Sequence, residues 1–127
     1  MKEMELLWAD QDHISVWGDH FKCLEQSGKF QITKLDSIED EEILKNCEGK
    51  NAVIIHSGTL RPMAGLKGLL QEIRAGNPEI KIGLETNIVH PILEGLVDFY
   101  IDKPITVEDL EELLREKIGT KSIINPK

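Results

Sequence analysis

The segment Asn51-Ala-Val-Ile-Ile-His-Ser-Gly58 is the most apolar run of the chain and is rich in β-branched residues. A run of that kind is a strand buried on both faces, and such strands belong to parallel sheets with helices on either side. That single feature asks the neighbouring segments to supply more strands and their covering helices. Met4–Ala9 (MELLWA) is apolar and too short for a core helix, so it reads as another buried strand. Phe30–Lys34 (FQITK) alternates apolar and polar, which fits a half-exposed strand. Ile80–Leu84 and Val97–Ile101 complete a set of five.

Between the strands the apolar period changes to that of a helix. Ile14, Trp17, Phe21 and Leu24 share one face, and Gly28 stands where that helix stops. Asp36 or Ser37 caps a second helix, Ile38–Cys47, whose acidic start (Glu39-Asp-Glu-Glu42) complements the helix dipole. Leu66, Leu69, Leu70 and Ile73 form a third stripe, ended by Gly76-Asn77-Pro78. Ile88–Leu96 reads as a short fourth helix interrupted by Pro91. Thr106 caps the last, Val107–Ile118, and Gly119 closes it. Strict alternation of this kind predicts an α/β fold with a parallel sheet between two helical layers. The common small solution is a flavodoxin/CheY-like three-layer sandwich of strand order 2-1-3-4-5, with its site at the carboxyl ends of the first and third strands.

Composition narrows the function classes. With 127 residues, the chain has the length of one domain, taken as residues 1–119 with a C-terminal tail at 120–127. The formal net charge of −8 and the lack of any long basic stretch speak against nucleic-acid binding. No apolar run reaches membrane-spanning length, and the N-terminus has no signal-peptide core, so a cytoplasmic location is expected. Cys23 and Cys47 lack CxxC spacing and are read as packing residues rather than a redox pair. Trp8 and Trp17 are read as core, and His20 and His90 as solvated surface.

Polar groups gather at the expected carboxyl ends of the strands. Asp10, Gln11 and Asp12 follow strand 1, and His56, Ser57 and Gly58 follow strand 3. Glu85 and Thr86 follow strand 4, and Lys103-Pro104 follows strand 5. The closing segment Val97-Asp-Phe-Tyr-Ile-Asp-Lys-Pro-Ile105 and the opening Leu6-Leu-Trp-Ala-Asp-Gln-Asp12 carry a resemblance. Over residues 4–118 the chain resembles the receiver (CheY-like) domains of two-component response regulators. The resemblance implies a site at these strand ends and a role in signal transduction. Lys103 matches the receiver lysine, and Tyr100 matches the aromatic switch position.

The departures from the receiver pattern bear directly on chemistry. A working receiver has an aspartate phosphoacceptor at the end of strand 3, where this chain has His56. Gln11 takes the place of one of two adjacent acids that hold Mg²⁺, with Asp12 close by. Glu85 stands where a small hydroxyl residue usually ends strand 4, and a shift of one residue would put Thr86 there instead. Leu60-Arg61-Pro62-Met63 replaces the usual Met-Pro loop. Aspartyl phosphorylation needs a carboxylate nucleophile and a metal, and imidazole does not suit Mg²⁺. Glu85 would also add negative charge at the phosphoryl position, beside Lys103. The resemblance therefore implies a pseudo-receiver: a degenerate pocket of Asp10, Gln11, Asp12, His56, Glu85, Thr86 and Lys103, with no catalytic residue, metal or cofactor expected. In the plain reading Asp10 pairs with Lys103 and His56 hydrogen-bonds locally. The alternative is a small metal-binding or enzymatic protein using Asp10, Asp12 and His56.

Receivers generally signal through the face made by the fourth helix, fifth strand and last helix. The same face here would present apolar surface near Ile92, Leu93 and Tyr100, rimmed by acids such as Glu108 and Glu112. A homodimer or a protein partner is expected there, with no role for nucleic acid or membrane.

Overall fold

In the computed structural model five short apolar segments pair into one parallel sheet: β1 (Met4–Ala9), β2 (Phe30–Leu35), β3 (Ala52–His56), β4 (Lys81–Glu85) and β5 (Phe99–Ile101). The structure describes residues 4–10, 13–36, 39–56, 63–86, 91–102 and 104–119, without the side chains of 13–16 and 63. Gln11, Asp12, Ser57, Gly58, the 60–62 loop, His90, Lys103 and the tail at 120–127 lie outside the described residues. The strand order is β2-β1-β3-β4-β5, as the alternation of segments predicts. The helices are α1 (His13–Gln26), α2 (Asp40–Cys47), α3 (Met63–Gly76) and α4 (Val107–Ile118).

Alternation along the strands divides the core into two layers, because successive side chains point to opposite faces of a sheet. Leu6, Trp8, Ala52, Ile54, Phe99 and Ile101 pack with Trp17, Phe21 and Leu24 of α1 and with Leu110, Leu114 and Ile118 of α4. Leu7, Ala9, Val53, Ile55, Ile82 and Leu84 pack with Ile43 and Cys47 of α2 and with Leu66, Leu69, Leu70 and Ile73 of α3. β1 and β3 are thus apolar on both faces, as the run around β3 requires, whereas β4 gives apolar side chains to the layer of α2 and α3 alone.

The turn chemistry follows the sequence at most ends. Thr106 caps α4, its side chain accepting from the Asp109 N–H at 3.1 Å. Gly28, after α1, has φ +78°, a left-handed conformation that glycine adopts without a Cβ penalty. Arg74 near the end of α3 ties the helix to the sheet. Its guanidinium donates to the Ile80 carbonyl at 2.8 Å, the Leu96 carbonyl at 3.1 Å and Asp98 at 2.9 Å. Asp98 in turn accepts from the Ile82 N–H at 2.7 Å.

Several expectations need correction. The cap of α2 is Glu39, without a side-chain hydrogen bond, and not Asp36; Ser37 lies outside the described residues. The fourth helix is absent among the described residues: only a 3-10 turn, Pro91–Leu93, stands there. Pro91 cannot donate a backbone hydrogen bond, and Gly95 at φ +88° turns the chain out of helical geometry. Leu93 is fully buried in the layer of α2 and α3, so it is not part of any exposed face. His20 is half-buried rather than solvated. Its Nε2 lies 2.7 Å from the Ile105 carbonyl, and its ring meets that of Trp17 edge-on. Cys23 is exposed and lies outside the core, whereas Cys47 is buried, and burial pushes its thiol up to about 11 despite Lys50 nearby.

Candidate functional site

The register of the sheet sets the site. Ala9 pairs with Ile55, and His56 pairs with Glu85. Asp10 leaves β1 one residue past that level, its N–H donating to the Leu35 carbonyl at 3.1 Å. Three adjacent strands therefore deliver Asp10, His56 and Glu85 to one point at the carboxyl edge. Their ligand-capable atoms all lie within 4.8 Å of one another. Glu85, not Thr86, ends β4. Thr86 is half-buried one residue beyond, its N–H donating to the Ile101 carbonyl.

Glu85 is 1% exposed and Asp10 3% exposed, so two carboxyls are removed from water side by side. Burying an acid without compensation is costly, and here the compensation is visible. The indole N–H of Trp8 on β1 donates to Oε2 of Glu85, and the indole N–H of Trp17 on α1 donates to Oε1 at 3.0 Å. The two rings meet at a tilt of 50°, with 5.1 Å between centroids. Asp10 shares a hydrogen bond with Glu85 as well. Burial first, and then the Asp10 hydrogen bond and charge, push the Glu85 carboxyl up to about 8; the two indole donors pull the other way. The balance favours the protonated form of Glu85, which can share its proton with Asp10.

This geometry changes the reading of two residue types. Burial and the neighbouring Asp10 push the Glu85 carboxyl toward its neutral form, and its neighbours lock it in place. Trp8 and Trp17 are core residues, as expected, but they are also the donors that hold Glu85. The signal for that role lies in the indole itself, since a buried tryptophan needs an acceptor for its N–H. The expected Asp10–Lys103 pair and the places of Gln11 and Asp12 fall outside the described residues. A separate cleft of about 300 Å³, lined by Lys50, Asn51, Asn77, Pro78 and Lys81 among others, lies at the amino edge of the sheet, away from the acids and the imidazole.

Strand order and two helical layers are those of the flavodoxin/CheY-like fold. Solved structures agree. A response regulator receiver domain from Methanospirillum hungatei JF-1 superposes with a TM-score of 0.73 at 20% identity, covering 95% of this chain and 98% of that one. The receiver domain of a sensor histidine kinase from Pseudomonas aeruginosa PAO1, with magnesium coordinated in its active-site cleft, gives 0.68 at 18% identity, covering 93% and 99%. An orphan response regulator of H. pylori gives 0.67 at 17%, covering 91% and 96%. At these identities the likeness is one of fold. No family model and no curated protein matches the sequence. No helix among the described residues is long and apolar enough to cross a membrane.

Proposed function

We propose that the chain is a phosphorylation-independent regulatory module, a receiver fold that works through protein contacts and not as an enzyme. The observation that carries this reading is the pairing of His56 with Glu85 at the end of β3. An imidazole stands where the receiver resemblance calls for a nucleophilic carboxylate. The acids beside it are buried and bonded to each other, and Glu85 also accepts from two indoles. Phosphoryl transfer to an aspartate needs a free carboxylate with a hard cation to neutralise the phosphoryl oxygens, and an imidazole in the ligand set disfavours Mg²⁺. Incubation with acetyl phosphate and Mg²⁺ should leave the mass of the intact chain unchanged. His56→Asp should gain little, because Asp10 stays paired with Glu85. A stoichiometric phosphoryl adduct on the wild type would overturn the reading.

The contact face we propose is narrower than the sequence suggests. Ile92 is 49% exposed, the one large apolar side chain so exposed among the described residues. Tyr100 is half-buried against the core, and Glu108 and Glu112 on α4 are exposed. An exposed apolar side chain on a chain of net charge −8 suits a second copy or a basic protein surface. Sedimentation of the wild type should show association that Ile92→Glu weakens at least about tenfold, a loss of about 1.4 kcal/mol. A wild type that is monomeric at every concentration, with a partner captured equally by the variant, would place the contact elsewhere.

A further inference from the structure

We propose that Asp10, His56 and Glu85 form a binding site for a divalent transition-metal ion of the cobalt or zinc type. The site goes beyond the regulatory reading and does not rest on it. Three features carry it. The first is convergence: two carboxylates and one imidazole come from β1, β3 and β4, with their ligand-capable atoms within 4.8 Å of one another. Ligands around a tetrahedral zinc at its usual bond lengths stand about 3.3 Å apart, so modest side-chain rotation closes the set.

The second feature is the setting of Glu85. Ligating carboxylates are ordinarily held by hydrogen bonds from outside the metal shell, which orient them and keep them fixed. The indole N–H groups of Trp8 and Trp17 do this for both oxygens of Glu85. The third is the arrangement of burial. Asp10 and Glu85 are enclosed and His56 is half-buried. The imidazole thus sits at the mouth, where an ion enters and where a further coordination position opens to water.

The ligand chemistry selects the ion. Imidazole with carboxylates suits zinc, cobalt and their neighbours, while magnesium and calcium prefer oxygen-only sets. Binding would replace the hydrogen bond between Asp10 and Glu85 with a shared cation and release its proton to solvent.

The test uses the full chain after treatment with a chelator. One equivalent of Co²⁺ should produce visible absorption bands that Zn²⁺ abolishes and Mg²⁺ at the same concentration does not. His56→Ala should weaken Co²⁺ binding by more than about 100-fold, because it removes a ligand and not merely an outer partner. This control matters, since the chain has three other histidines, at positions 13, 20 and 90. A second readout needs no variant. Co²⁺ is paramagnetic, and both tryptophans of the chain donate to the proposed ligand Glu85. Both indole N–H resonances should therefore shift or vanish as Co²⁺ is added. Unchanged indole resonances in excess Co²⁺, equal binding by His56→Ala, or equal displacement by Mg²⁺ would each overturn the proposal.

Discussion

Gly83→Ala should destabilise the fold by about 1–3 kcal/mol, the cost of forcing extra volume into a packed core. The direction runs against the usual rule, in which alanine in place of a strand glycine stabilises, since glycine loses more freedom on folding. Gly83 lies in the middle of β4, paired with Phe99 on β5. The Phe99 ring lies across the glycine, so an added Cβ would stand 2.4 Å from one ring carbon and 2.5 Å from the next. The ring is 3% exposed and hemmed in by the layer of α1 and α4, so it has little room to yield. Shortening it should relieve the clash. Gly83→Ala combined with Phe99→Leu should lose less stability than the sum of the two single changes, the mark of direct contact in a double-mutant cycle. Urea unfolding of the four proteins measures this. A Gly83→Ala chain as stable as the wild type would show that β4 and β5 do not pack as described.

Periodicity made the sheet legible because its signal is redundant. The β3 run demands two covered faces, and the stripes of α1, α3 and α4 supply the covers. Thr106 and Gly119 mark both ends of the last helix to the residue. Where one local signal stood alone, the reading failed. Ile92 and Leu93 suggest helical apolar surface, yet Pro91 and Gly95 leave only a 3-10 turn, and Leu93 drops into the core. Asp36 has the chemistry of a cap, but α2 begins later, behind Glu39.

The candidate site was legible as a list of residues and not as an arrangement. Asp10, His56 and Glu85 can be placed at strand ends from sequence alone. Whether Glu85 or Thr86 reaches the level of His56 depends on the register of β3 against β4, which local sequence does not encode. The lock on Glu85 is a longer-range fact still. Trp17 lies 68 residues away in sequence and Trp8 77 residues away, so only the packed fold brings their N–H groups to one carboxyl.

That lock makes the stability of the chain depend on pH with a predictable sign. Unfolding the metal-free protein releases Glu85 from a pKa of about 8 to its ordinary 4.5. Below 4.5 both states hold the proton, and the favourable contribution is fully present. Between 4.5 and about 8 only the folded state holds it, so stability falls as pH rises, by at most about 1.4 kcal/mol per pH unit. Above that window both states have lost the proton and this contribution is flat. Among the described residues, Asp10 from β1 and His56 from β3 are the titratable groups grouped with Glu85, and the Asp10 carboxylate makes a second charge there costly. Glu85→Gln has no proton to lose, so this contribution to its slope through the window should vanish. Its single amide oxygen cannot accept from both indoles, however, and an indole N–H left without an acceptor costs about 1–3 kcal/mol. The variant should therefore be the less stable protein near pH 5 and should close on the wild type as pH rises. Urea midpoints between about pH 5 and pH 9 with chelator present would measure the slopes, and the two indole N–H resonances of the wild type should titrate together near pH 8. Parallel stability curves for the two proteins would mean that Glu85 keeps its ordinary acidity and that the indoles do not hold a neutral acid between them.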